Sequence, residues 1–98
     1  MDNNLTTGNL KVQHDKENKK FTMVINGETA MVTYKLVDGK MYLTYSEVPF
    51  KLRGKGYGKK LVEGTFEQLT NEGYKAVAVC SYIKAVARRG KIWNSIID

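Results

Sequence analysis

The residues with the clearest chemical potential form one short stretch, Arg53-Gly54-Lys55-Gly56-Tyr57-Gly58-Lys59. Glycines at alternate positions let a backbone turn sharply and leave no Cβ in the way of a ligand. Where such a segment opens a helix, the first amides lack intrahelical acceptors and the macrodipole is positive. Arg53, Lys55 and Lys59 add charge around those amides, which together make an anion site suited to a pyrophosphate. The plainer alternative is a solvated, basic glycine turn. The Val48-Pro49 strand end before the segment and the amphipathic pattern after it favour the anion site. A Walker loop would need Gly-Lys followed by Ser or Thr after a longer spacing. A dinucleotide fingerprint would space its glycines more openly, so neither applies. Cys80, the sole cysteine, follows an apolar run and precedes a predicted helix start. A helix dipole and nearby Lys or Arg would lower its pKa and make it nucleophilic; the alternative is a small buried hydrophobe. His14, the sole histidine, lies far from these residues in sequence and reads as structural or surface.

The elements that must position this chemistry follow from period and punctuation. Residues 1–9 are polar and aperiodic and read as a loose arm. A short strand is predicted over Leu10–His14, then a charged turn through Asp15–Lys20. Further strands are predicted over Phe21–Ile25, Thr29–Val37 and Met41–Val48. Asn26-Gly27 and Asp38-Gly39 between them suit the positive φ angles of tight hairpins, which makes the pairing antiparallel. Pro49 ends the fourth strand. From about Gly56, Leu61, Val62, Thr65, Phe66 and Leu69 recur at helical steps, and Gly73 stops that helix. Tyr74–Cys80 reads as a buried fifth strand, and Ser81 as the cap of a last helix over Tyr82–Arg89. The tail Ile92–Ile97, with Trp93, has no clear pattern. A helix between the fourth and fifth strands implies that they run parallel, with ligands expected beyond their C-terminal ends. The expected fold is α+β: a mixed sheet of about five strands with two main helices, in one domain over residues 1–98.

Composition narrows the function classes. The chain has 98 residues, enough for one compact domain, and carries a formal net charge of +6. With a pI near 9.5, a negatively charged partner is expected. Lys51, Arg53, Lys55, Lys59 and Lys60 fall in a ten-residue window without an acid, and Lys84, Arg88, Arg89 and Lys91 form a second basic cluster. Such local concentration suits a shaped anion site. Tyr57 is the sole aromatic within Lys51–Lys60, which weakens a nucleic-acid reading. No apolar stretch approaches the roughly 20 residues of a membrane span. One His and one Cys argue against a Cys/His zinc site, so no metal is expected. The polar start and single cysteine suggest a cytoplasmic protein, and a monomer or weak dimer is expected.

The segment Val48 to Gly58, lying between a strand and a helix, resembles the acetyl-CoA motif of the GNAT superfamily, Arg/Gln-x-x-Gly-x-Gly/Ala. Arg53 and either Gly56 or Gly58 satisfy it. Ser46-Glu47-Val48-Pro49 and Cys80-Ser81-Tyr82 further match a group of very small GNAT-like proteins, which carry Thr-Glu-Val-Pro before the loop and Cys-x-Tyr on the last strand. The resemblance covers roughly His14 to Trp93. Two departures stand out: Tyr45 occupies a position where such proteins often have His, and only Asp15–Lys20 replaces the helices that wall the acceptor groove in full-length enzymes.

The resemblance implies an N-acetyltransferase that uses acetyl-CoA and an amine acceptor, with a CoA-binding module as the alternative. It implies that the fourth and fifth strands splay, that the pantetheine arm lies in the gap, and that the Val48 amide polarises the thioester carbonyl. Glu47 would be the base, or else an ordinary exposed carboxylate. Tyr82 would protonate the leaving thiolate, or else simply pack. Cys80, if nucleophilic, would open a covalent route. The implied cofactor contacts are Val48, Phe50, Arg53, Gly54, Lys55, Gly56, Tyr57, Gly58, Lys59 and Ser81.

Overall fold

The computed structural model describes residues 11–90, and the expectations for residues 1–9, Leu10 and Ile92–Ile97 lie outside them. Five strands form one sheet in the order β1-β2-β3-β4-β5: β1 Gln13–Asp15, β2 Lys20–Ile25, β3 Glu28–Val37, β4 Lys40–Glu47 and β5 Lys75–Ala78. The first four pair antiparallel and β4 pairs with β5 in parallel. Asn26 and Gly27, and Asp38 and Gly39, have φ between 51° and 80°, the left-handed pairs that both hairpins require. Helix α1, Tyr57–Asn71, makes the crossover, and α2, Ser81–Arg89, follows β5. This is the expected mixed sheet with two helices.

Alternation decides the faces. Phe21, Met23, Val32, Met41 and Leu43 are fully buried from the sheet, and Leu61, Val62, Phe66, Leu69 and Ile83 meet them from the helices. Burying each such side chain contributes roughly 1.5–3 kcal/mol. Thr65, also buried, donates its hydroxyl hydrogen to the Leu61 carbonyl at 2.9 Å and so leaves no orphan polar group. Helix α1 packs on β2, β3 and β5, α2 packs on β4 and β5, and the helices touch each other. Both therefore cover the same face.

Three local expectations are corrected. The first strand begins at Gln13, although Val12 before it is buried. The fifth strand stops at Ala78 and is half-buried, with Lys75 exposed, because β5 is an edge strand covered on one face. Cys80, with extended backbone (φ −64°, ψ 133°), occupies the N-cap of α2, and Ser81 is the first helical residue, so Ser81 is not the cap.

Candidate active site

The site begins where a ladder ends. The amides of Val79 and Cys80 both donate to the Leu43 carbonyl, at 3.0 and 3.1 Å, so β5 turns away after Leu43↔Ala78. Strand β4 runs on to Glu47, paired to β3 alone. A cavity of about 500 Å³ opens beside that free end. Tyr45, Ser46, Glu47 and Val48 line it from the strand, Leu52, Arg53, Gly54, Gly56 and Gly58 from the loop, and Tyr82 from α2.

The loop has a specific construction. Pro49 leads into a single 3₁₀ turn, Phe50–Leu52, whose Leu52 is buried and anchors it. The Arg53 Nε–H donates to the Val48 carbonyl at 2.9 Å, stapling the loop to the strand end. Gly54 and Gly56 have φ of +77° and +83°, and a Cβ on either would meet nothing within 4 Å. Backbone conformation requires these two glycines. Gly58 has a different reason: a Cβ there would lie 2.6 Å from the Tyr82 hydroxyl oxygen. Gly56 at the N-cap of α1 gives no side-chain cap, and the first turn holds no acid. Instead it holds Lys59 and Lys60, the wrong sign for the positive end of a macrodipole unless an anion sits there.

A bulge divides the candidate chemistry between two faces. Thr33 pairs with Tyr45 but Tyr34 pairs with Leu43, so Thr44 is an extra residue on β4. Its hydroxyl hydrogen is donated to the Thr33 carbonyl at 3.4 Å. Beyond the bulge Ser46 pairs with buried Val32 on the helix face, and Glu47 pairs with Met31 on the other. Ser46 Oγ lies 3.7 Å from Cys80 Sγ, within hydrogen-bonding reach for sulfur. Burial pushes the Cys80 thiol up, but the Ile83 amide, the Ser46 hydroxyl, and the Tyr82 and Ser46 amides outweigh it, and its pKa falls below the ordinary thiol value. No capping bond of standard geometry is formed, so the two helix amides act on the sulfur from a longer or more oblique approach. Tyr82 moves the other way: burial raises its pKa, Glu63 adds to the rise and Arg89 opposes it.

Of the residues expected at the site, Glu47, Val48, Arg53, Gly54, Gly56, Gly58 and Tyr82 share the cavity lining, and Cys80 touches it through Ser46. Phe50, Lys55, Tyr57, Lys59 and Ser81 lie outside the lining. Phe50 is 82% exposed with the Arg53 guanidinium 6.0 Å from its ring centre, and Tyr57 packs against the core. Sequence reading missed Ser46, Tyr45 and Leu52 as lining residues. Ser46 figured only as the first residue of the Ser46-Glu47-Val48-Pro49 motif, and its approach to Cys80 depends on the bulge. His14 is a structural residue here, stacked on Phe21 with ring centroids 4.2 Å apart.

A strand splayed from its parallel neighbour, followed by an uncapped glycine loop and a helix, is the arrangement that the resemblance to the GNAT superfamily implies. The family model for GCN5-related N-acetyl-transferase matches residues 20–96, and the chain belongs to that family. Protein NATD1 of Danio rerio is 33% identical over 78 residues, 76% of this chain and 71% of the relative. Protein NATD1 of Homo sapiens is 29% identical over 86 residues, 85% and 76% of the two chains. The solution NMR structure of a GCN5-like protein from Staphylococcus aureus superposes with a TM-score of 0.66 at 25% identity, covering 94% of this chain and 91% of that one.

Proposed function

We propose that this protein transfers an acetyl group from acetyl-CoA to the amine of a small molecule, peptide or protein. The observation that carries the reading is the cavity between the free end of β4 and the start of α2, floored by the glycine loop. The loop fits a pyrophosphate: its glycines leave open space, and the uncapped, acid-free first turn of α1 presents amides among lysines. Arg53, Gly54, Gly56 and Gly58 would hold the phosphates, with Lys55 and Lys59 adding charge at the rim. Bound there, acetyl-CoA supplies an activated acetyl thioester.

The chain's own groups then have separate tasks. The Val48 amide, just past the last paired residue of β4, orients and polarises the acyl carbonyl. Glu47 accepts the proton lost by the attacking amine. Tyr82, whose raised pKa keeps its phenol protonated at neutral pH, donates a proton to the departing thiolate sulfur. The proton taken at Glu47 balances the one given at Tyr82, and the products are an amide and free CoA thiol. The lowered pKa and position of Cys80 also suit attack on an acyl group, which would make it an intermediate carrier.

Titration with acetyl-CoA, followed by NMR and intact mass, tests the reading. The resonances of residues 53–59 should shift most, and pantetheine should bind much more weakly than CoA. Glu47→Gln should lower turnover by about 10²–10⁴-fold with little change in acetyl-CoA affinity, while Cys80→Ala costs little. Loss of turnover on Cys80→Ala, with a stable acetyl mass on the wild-type cysteine, would replace Glu47 by the covalent route. Tight binding without turnover on any amine would reduce the protein to a CoA-binding module.

A further inference from the structure

Among the described residues, helices cover one face of the sheet alone, and the register shows what the other face carries. Residues directly paired across strands share a face. Phe21–Val32 and Met41–Ala76 face the helices, so the pairs alternating with them face away. One row of that open face is Val37–Lys40–Lys75, the next is Lys35–Tyr42–Val77, and near the other end lies Thr22–Met31–Glu47. Lys35, Lys40 and Lys75 are exposed and make no ion pair among the described residues. Lys40 and Lys75 stand directly opposite each other, a placement that is destabilising for like charges unless an anion lies between them. Among the described residues the carboxylates on or beside this face are few: Asp15, paired with Lys20, then Asp38 in the hairpin turn next to Lys40, and Glu47.

We propose that this open face docks the acceptor, and that the acceptor is an acidic peptide segment lying along β4, its amine at Glu47 and its carboxylates at Lys35, Lys40 and Lys75. The proposal rests on the transferase reading for the amine and on the register for the rest. Six residue steps along β3 lead from Met31, opposite Glu47, to Val37, opposite Lys40. At about 3.3 Å per residue that is roughly 20 Å, the reach of an extended segment of about six residues and far beyond a small amine. Tyr45, 52% exposed, lies between the two ends with Tyr42 and Thr33, offering ring and hydroxyl surface to a backbone. A polycationic amine is disfavoured by the lysine rows and by a net charge of +6. A nucleic acid would meet the lysines but lacks an aliphatic amine, and its phosphates would be repelled at Glu47.

The test uses the full-length ¹⁵N-labelled chain and two synthetic peptides. Each has a blocked N-terminus and one lysine. One carries glutamates about five positions from the lysine, the other arginines in the same places. The acidic peptide should shift the amides of Lys35, Tyr42, Lys40 and Lys75 and bind at least about 10-fold more tightly, with the difference shrinking as salt rises. The Lys35→Glu/Lys40→Glu/Lys75→Glu variant should reverse the order while keeping wild-type acetyl-CoA affinity and circular dichroism. A Lys→Gln triple variant should abolish the preference if the charge-reversed protein does not fold. Equal binding of the two peptides, shifts confined to residues 53–60 or 84–89, or displacement of the acidic peptide by a single-stranded RNA of higher affinity would overturn the proposal. Acetyl-CoA is titrated in parallel. Failure of that titration removes the transferase reading, whereas success without shifts on the lysine rows removes the docking surface alone.

Discussion

Cys80 and Tyr82 are two residues apart, yet their environments push their protons in opposite directions. Burial acts against the Cys80 thiolate, but the Ile83 amide and Ser46 hydroxyl prevail, while burial keeps the Tyr82 phenol protonated. Pairs driven apart in this way suit separate acid and nucleophile roles. Alkylation of Cys80 should therefore rise with pH around a midpoint below that of an ordinary exposed thiol. Ser46→Ala should move that midpoint upward, and rates measured across pH check it. The sign for stability follows. Because the folded value is depressed, the thiolate stabilises the fold above the unfolded pKa, and the contribution is lost as pH falls through the folded one. Ser46→Ala should thus weaken the protein more at alkaline than at neutral pH.

Two glycines in α1 show how close packing, as well as backbone conformation, constrains an element. Gly58 makes room for the Tyr82 hydroxyl, and Gly64 makes room for Val12, whose Cγ2 would stand 2.5 Å from an added Cβ. Within a helix Ala is favoured over Gly by about 1 kcal/mol, whereas overpacking costs about 1–3 kcal/mol. The clash involves the short, branched Val12 side chain, which has little room to yield. Gly64→Ala should lower the urea midpoint in the wild-type background and raise it when Val12 is also alanine. A stabilising Gly64→Ala in both backgrounds would show that α1 does not rest on the segment before β1 as closely as described.

Across the molecule, His14 ties the edge strand to the far end of the crossover helix. Its Nδ1–H donates to the two Glu72 carboxylate oxygens at 2.9 and 3.0 Å, and its Nε2 accepts from the Tyr34 hydroxyl at 2.6 Å. Burial, with Tyr74, Glu72 and Asp15 nearby, raises the Tyr34 pKa and keeps that hydroxyl a donor. The His14 side chain is 5% exposed. His14→Ala leaves a cavity and an orphaned hydroxyl, so it should cost about 2–4 kcal/mol, a large share of the 5–15 kcal/mol typical of a domain. The cluster lies outside the cavity lining, so acetyl-CoA affinity at low temperature should be unchanged. Chemical denaturation and ligand titration on the same variant separate the two effects.

Local rules determined much of this protein directly. Asn26-Gly27 and Asp38-Gly39 specify left-handed turns wherever they occur, and both hairpins formed around them. The apolar spacing from Leu61 to Leu69 marked the buried stripe of α1, and the glycine loop was recognisable because its conformation is written in its own residues. The rest depended on partners distant in sequence. Strict alternation from Met41 and Leu43 would carry Tyr45 and Glu47 onto the core face. The extra residue at Thr44 reverses this, and that bulge exists only because β3 continues in register on both sides of it. The same reversal brings Ser46 to Cys80 across 34 residues, while His14 meets Glu72 across 58. Turn chemistry and helical period are properties of neighbouring residues. Register, and with it the face on which each candidate group acts, is settled only when the strands are laid side by side.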